Sequence, residues 1–294
     1  MSSRRGSVLI LTLWATAALA TAVISQATRL SLELRWVDRM QEAHQARYLA
    51  LTGIEVAKVL LFQDDPAWDS PWEAWGKVPK EPIPFEFGTF RYQILDEQAK
   101  VPINSAASLV LSQLPGFTPQ AAEELVRRRT QEQRSLTHLG ELITLERDFG
   151  FQPEALSELE SLVTVHGVGP VNLNSASVDV LKRIGLAEEL ATKILQYRDR
   201  PGRGVDGISG TADDGSFPRA DPGEIQQVLE DDSGPLGDPN GWVTLGNLLN
   251  EKLVGVGSSF FHVEVEGKSS RHGIQRSVVT VLERAGTVRG WYET

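Results

Sequence analysis

From Ser7 to Gln26 no side chain is charged and most are apolar, and the first charge beyond is Arg29. About 20 residues at roughly 1.5 Å each make about 30 Å of helix, the thickness of a bilayer's hydrocarbon core. The helical period does not stop there. Trp36, Met40, Ala43, Arg47, Ala50, Ile54, Ala57 and Leu61 recur at three- and four-residue steps, with no Pro, and no Gly before Gly53. One helix is therefore predicted from Val8 to about Phe62, ended by Asp64-Asp65-Pro66. The stretch to Pro84, with Trp68, Trp72 and Trp75 among prolines, reads as a loop whose tryptophans pack against the body. FEFGTFRYQIL, Phe85 to Leu95, then alternates with period two, placing Thr89, Arg91 and Gln93 on a polar side, and predicts a hairpin turning near Gly88. Strand signals vanish until Ser259 and resume over Phe260–Glu266, Ile274–Arg284 and Val288–Tyr292. The pattern thus predicts a small sheet split in sequence by a long insertion.

The insertion repeats itself. INSAASLVLSQLPGFTPQAAEELVRRR, Ile103 to Arg129, aligns with LNSASVDVLKRIGLAEELATKILQYR, Leu173 to Arg198. Asn104-Ser105-Ala106 matches Asn174-Ser175-Ala176, Gly116 matches Gly185, Ala122 matches Ala191, and Arg129 matches Arg198. A further short element follows each copy, LTHLGEL in the first and VTLGNLL in the second. Each copy reads as a capped helix, a Gly turn, a helix ending in Arg and another short helix, with Asn104 and Asn174 suited to cap helix N-termini. That is the pattern of helix-hairpin-helix modules. Such modules often bind DNA by presenting turn N–H groups to a phosphate. That use needs a second turn glycine and nearby basic residues; here Thr118 and Ala187 hold the glycine's position, and Glu188-Glu189 follow the latter. Arg127, Arg128 and Arg129 form a basic run of the kind that usually faces solvent on a helix.

Composition narrows the choice. With 294 residues the chain has ample length for a real core, and its formal charge of −10 makes a phosphate backbone a poor partner. Cysteine is absent, so an exported chain would rely on packing or a metal rather than disulfides. His44, His138, His166, His262 and His272 stand apart without metal-ligand spacing, and no G-x-S-x-G, phosphate-loop or dinucleotide fingerprint occurs. An enzyme is not expected. The segment VDGISGTADDG with Asp206, Asp213 and Asp214, followed by Asp231 and Asp232 in LEDDSG, sets carboxylates among glycines. Such a set suits Ca²⁺, a hard cation with six to eight oxygen ligands, though not in EF-hand spacing; a solvated surface loop is the alternative.

The N-terminus carries the most specific signal. Arg4 and Arg5 precede the apolar run, which biases the N-terminus to the cytoplasmic side. The basic leader ends abruptly at Gly6. A secretory signal cut after Ala18-Leu19-Ala20 is the competing reading, but Thr21 to Ser25 stays apolar past that point. A short basic leader ending in Gly, then an uncharged run grading into a long amphipathic helix, resembles a prepilin-type signal. The resemblance implies a peptidase cut between Gly6 and Ser7 and N-methylation on Ser7; loss of the leader would leave two fewer positive charges. Most members carry Glu as the fifth mature residue, where this chain has Leu11.

That departure, the split sheet and the inserted repeat together resemble the minor pseudopilin K family of type II secretion. The implied fold is α+β, a long N-terminal helix packed on a small antiparallel sheet with an inserted all-α domain. In that scheme 1–6 is a leader, 7–28 a transmembrane helix and 29–102 the pseudopilin helix and first strands. The inserted domain spans 103–257, with repeats 103–142 and 173–250 and an Asp/Gly loop at 201–240, and 258–294 completes the sheet. The family implies no catalysis and no cofactor apart from structural calcium. It also implies an inner-membrane, single-pass protein with its bulk in the periplasm. The implied partners are I- and J-like minor pseudopilins, the major pseudopilin and the prepilin peptidase, with no nucleic acid. Membrane-anchored competence-type DNA receptors, which carry a similar repeat, are the alternative.

Overall fold

The computed structural model describes residues 3–64 (backbone alone for 3–8), 67–200, 211 and 214–293. Helix α1, Ser3–Gln63, runs unbroken for 61 residues, about 90 Å. Its most apolar 18-residue window has a mean hydropathy of 1.7 and no buried residue, so by length and composition it can cross a membrane. Burial on this helix begins only at Glu42 and continues through Ala46, Leu49, Ala50, Ile54, Ala57 and Leu61. Trp36 and Met40, predicted on the same stripe, are exposed because the sheet does not extend that far along the helix.

The sheet is built from β1 (Ile83–Phe85), β2 (Gly88–Asp96) and three C-terminal strands. With these as β7 (Phe260–Ser269), β8 (Gln275–Glu283) and β9 (Val288–Glu293), strand order is β1-β2-β7-β8-β9 and every neighbour is antiparallel. Strand β2 alternates as predicted: Phe90, Tyr92 and Ile94 are buried and Arg91 and Gln93 exposed. Between β2 and β7 lie β3 (Val101–Pro102), α2 (Ser108–Leu111), α3 (Pro119–Gln131), α4 (Glu146–Phe149), α5 (Leu156–Leu162) and β4 (Val163–Thr164). They are followed by β5 (Val171–Asn172), α6 (Val178–Arg183), α7 (Glu188–Arg198), α8 (Pro222–Ser233), α9 (Asn240–Asn250) and β6 (Val254–Gly255). Strands β7, β8 and β9 then close the sheet.

Helix and sheet meet at two glycines. A Cβ on Gly267 of β7 would lie 2.1 Å from the Ala46 carbonyl oxygen, and one on Gly53 of α1 would lie 2.4 Å from a Val265 methyl. Only hydrogen at those sites lets the helix backbone settle on the strands. Leu49, Ile54, Leu61, Phe90, Ile94, Phe261, Val263 and Val265 then form one core. Each fully buried side chain of this size contributes about 1.5–3 kcal/mol. The inserted domain has a separate core, from Val101 to Val256, drawn from all its helices.

Two expectations are corrected within the insertion. Strand pairing does not vanish there: β3 pairs with β4 and β5 with β6, both parallel. The 201–240 stretch is also not loop throughout. Asp221 caps α8 by accepting from the Glu224 N–H, with Pro222 in its first turn, so residues 222–233 form a helix that buries Ile225 and Leu229.

Candidate assembly surface and the buried junction

The repeat resolves into two closed modules. In the first, the Ile103 N–H donates to the Thr164 carbonyl (2.9 Å); in the second, Leu173 donates to Gly255 (2.8 Å). Asn104 does not cap a helix. Its amide donates to the carbonyls of Leu136 and Val165 and accepts from the Leu136 N–H. Asn174 does the same with Phe217 and Val256. Each asparagine therefore clamps two distant backbone segments. A backbone at a clamp needs both a donor and an acceptor, and a carboxamide supplies both. The caps fall elsewhere: Ala107 precedes α2, and Ser177 caps α6 by accepting from Val180 N–H.

Arginine closes each module from the other side. Arg129 donates to the carbonyls of Ile103 and Ala106, and Arg198 to those of Leu173 and Ala176. Burial lowers the Arg198 guanidinium to about 10. Of the predicted solvated run, only Arg127 is exposed; Arg128 is half-buried over the Phe149 ring, and both grip Glu124. The turn glycines Gly116 and Gly185 have φ of +77° and +106°, where a side chain is disfavoured. The first turn is covered, because the Gln152 N–H donates to the Gly116 carbonyl and Ala155 packs against the glycine. Thr118 caps α3 with its own hydroxyl, using the Ala121 N–H that a phosphate would need. The second turn is open but leads into Glu188 and Glu189.

Between the two cores lies a buried polar junction that the sequence reading missed. Asp96, at the end of β2, accepts from the Asn172 amide (2.8 Å), the Ser258 hydroxyl (2.7 Å), the Ser175 hydroxyl and the Gln98 N–H (2.8 Å). Full burial pushes its carboxyl above the usual range, against the pull of those four donors. Asp69 accepts from the Ser258 N–H and from Arg284, which also donates to Asp64 (3.1 Å) and to the Leu61 carbonyl (3.1 Å). Glu73 accepts from the Ser70 N–H (2.8 Å) and the Trp75 indole (3.1 Å). Burial raises Asp69 to about 7 and Glu73 to about 8. Oxygens of Asp64, Asp69 and Glu73 lie within 4.8 Å of one another, but the cation among them is Arg284 of the chain itself. A sequence signal for Asp96 existed: it continues the inward parity of Phe90, Tyr92 and Ile94.

The tryptophan loop packs as predicted and joins both bodies. Trp75 sits edge-on to Phe261 (5.1 Å) in the sheet core, Trp68 packs on the helical core, and the Trp72 indole donates to the Arg198 carbonyl (3.3 Å). The second exposed feature is α1 itself. Leu30, Leu34, Trp36, Val37 and Met40 stay between 41 and 64 % exposed on the length between the apolar run and the sheet.

Of the other predicted site residues, Gly6, Ser7 and Leu11 lie in the first turns of α1. Asp206 and Asp213 lie outside the described residues. Asp214 is buried, Asp231 is exposed in the last turns of α8, and Asp232 pairs with Arg200 at 3.1 Å. These three are therefore not a set of carboxylates on one flexible loop. His166 and His262, far apart in sequence, line one groove of about 340 Å³ between the insert and the sheet. Burial lowers the His166 imidazole.

No protein-family model and no curated protein sequence matches the chain. Its fold does match a chain in the crystal structure of the GspK–GspI–GspJ complex from the type 2 secretion system of enterotoxigenic Escherichia coli. The TM-score is 0.58 at 15 % identity, covering 88 % of this chain and 99 % of that one. The likeness is one of fold.

Proposed function

We propose that the chain is a non-enzymatic, K-like minor pseudopilin of type II secretion. It would nucleate and cap a short periplasmic pseudopilus while anchored in the inner membrane through α1. One observation carries the reading: a single helix that is bare from Leu9 to Val37 then packs on a small split sheet carrying a bulky helical insert. A bare apolar helix of this length has to bury its stripe against lipid or against other helices. The I- and J-like pseudopilins are its natural partners, with the stretch Leu30–Met40 as the shared surface outside the membrane. Leu11 offers no carboxylate to the N-terminal amine of a neighbouring subunit, and the insert adds bulk beside the sheet, both of which suit a terminal position.

The membrane-extracted chain should begin at methylated Ser7, by mass spectrometry, and Gly6→Val should leave the leader in place. Co-expressed I- and J-like pseudopilins should co-purify with it, and Trp36→Glu with Met40→Glu should reduce their recovery. An N-terminus near Thr21, or tight salt-dependent DNA binding without any pseudopilin complex, would overturn the proposal. The same reading gives a structural Ca²⁺ to Asp206, Asp213, Asp214, Asp231 and Asp232. Millimolar calcium after chelation should then raise the unfolding midpoint, and Asp213→Ala and Asp214→Ala should shrink the rise. An unmoved midpoint would remove the metal from the proposal.

A further inference from the structure

Residues 67–76 form a strap whose tryptophans seat on two cores at once, and its backbone is tied down where the Asp69 N–H donates to the Val256 carbonyl (2.8 Å). Beneath it the charges do not balance. Asp64, just past α1, and Asp69 of the strap share one guanidinium, Arg284, which follows β8; Glu73 of the strap lies beside these two acids, and the charge of Asp96 on β2 acts on Asp69. Glu283, next to Arg284, is held away by Arg289 (2.7 Å). The insert faces this space with neutral groups, Asn172 and Ser175, bonded to Asp96. Three carboxylates within 4.8 Å of one another and one cation leave an excess of negative charge where water is scarce. Like charges at this separation and low dielectric repel strongly enough that one of them holds a proton.

We propose that the strap is a proton-operated latch: a proton kept on the Asp69–Glu73 pair holds residues 67–76 on both cores, and its loss releases them and loosens the insert from the sheet. Arg284 already serves Asp64 and Asp69, so of these three clustered acids Glu73 is the one without a cation among the described residues. Its two partners, the Ser70 N–H and the Trp75 indole N–H, are donors to a single oxygen, which leaves the other free to carry the proton. The sign follows from the raised acids. Their contribution to seating the strap is whole below about pH 4, where the same carboxyls in the open chain are also protonated. It is lost as pH rises through about 7 to about 8, where the seated strap gives up its own protons.

Hydrogen exchange on the full chain in detergent micelles, corrected for the intrinsic rate at each pH, measures the latch directly. Protection of the strap amides at pH 9 should be at least about tenfold lower than at pH 6, while β7 amides hold theirs. Glu73→Gln keeps an oxygen acceptor for both donors but cannot ionise. It should flatten the pH dependence and leave the strap better protected than the parent at pH 9. Asp64→Asn removes one like charge from both strap acids and should move the transition to lower pH. Parent protection that stays level from pH 6 to pH 9 would overturn the latch. So would a Glu73→Gln strap weakened by one factor at every pH, since Glu73 would then be a structural acceptor alone.

Discussion

The two copies of the repeat use the same local code and put it to different ends. Both run from a two-residue strand through an asparagine clamp, a helix, a glycine turn and a helix whose last arginine returns to the clamp. At the strand, however, the first copy has Pro102 where the second has Asn172. Asn172 is fully buried and bridges Asp96, Ser258 and the Asp69 carbonyl. The Ser105 hydroxyl donates to the nearby Pro102 carbonyl, whereas that of its counterpart Ser175 reaches Asp96 in the sheet. The second copy thus carries the polar attachment to Asp96, while the first meets the sheet across the groove of His166 and His262 without such a bond among the described residues. A repeat conserves what closes the module, and the positions left over decide where the module docks.

That comparison breaks if equivalent residues turn out to matter equally. Removing the Asn174 side chain orphans the Phe217 N–H and the Phe217 and Val256 carbonyls in a buried setting, so Asn174→Ala should cost about 3 kcal/mol or more. Asn104→Ala, at a half-buried site that water can reach, should cost about 1–2 kcal/mol. Denaturant unfolding of the two variants in the same detergent measures the gap, and equal losses would erase the distinction between the copies. Arg198→Ala should likewise cost about 2–3 kcal/mol and Arg129→Ala about 1–2, because both leave carbonyls unpaired but only the first does so in a dry interior. Ser175→Ala removes one of four donors to Asp96 and should cost about 1–2 kcal/mol, against less than about 0.5 for Ser105→Ala.

The smallest effect belongs to the surface of the first copy. Arg127 and Arg128 hold the Glu124 carboxyl down at about 2, so its contribution is present above the ordinary carboxylate range and is lost only as pH falls through about 2. Glu124→Gln should lower the melting temperature slightly at low salt, and added salt should remove most of the difference. A large, salt-independent drop would mean that α3 depends on these pairs more than a surface carboxylate network would.

Local pattern determined much of this protein from its residues alone. The unbroken period from Val8 to Phe62 could only be a long helix, the alternation through Phe90, Tyr92 and Ile94 only a half-buried strand, and the aligned copies only a duplicated helical module. These follow because helix and strand periods are written in consecutive side chains. Helix α8 escaped because Gly, Pro and Asp dominate its surroundings, though Asp221-Pro222 ahead of Ile225 and Leu229 was a legible cap and stripe. The pairing of β3 with β4 and β5 with β6 also left a trace, in the matching Leu-Val-x-Val of residues 162–165 and 253–256. The roles of Asn104, Asn174, Arg129 and Arg198 were decided only in the folded chain. Asparagine before Ser reads as a helix cap, and only the backbone arriving from 32 to 82 residues away turns it into a clamp. The junction of Asp64, Asp69, Glu73, Asp96 and Arg284 is decided there too. Its members come from a helix end, a loop, a strand and the turn after another strand, and their energetics depend on mutual distance and exclusion of water, neither of which is encoded in any neighbourhood of the sequence.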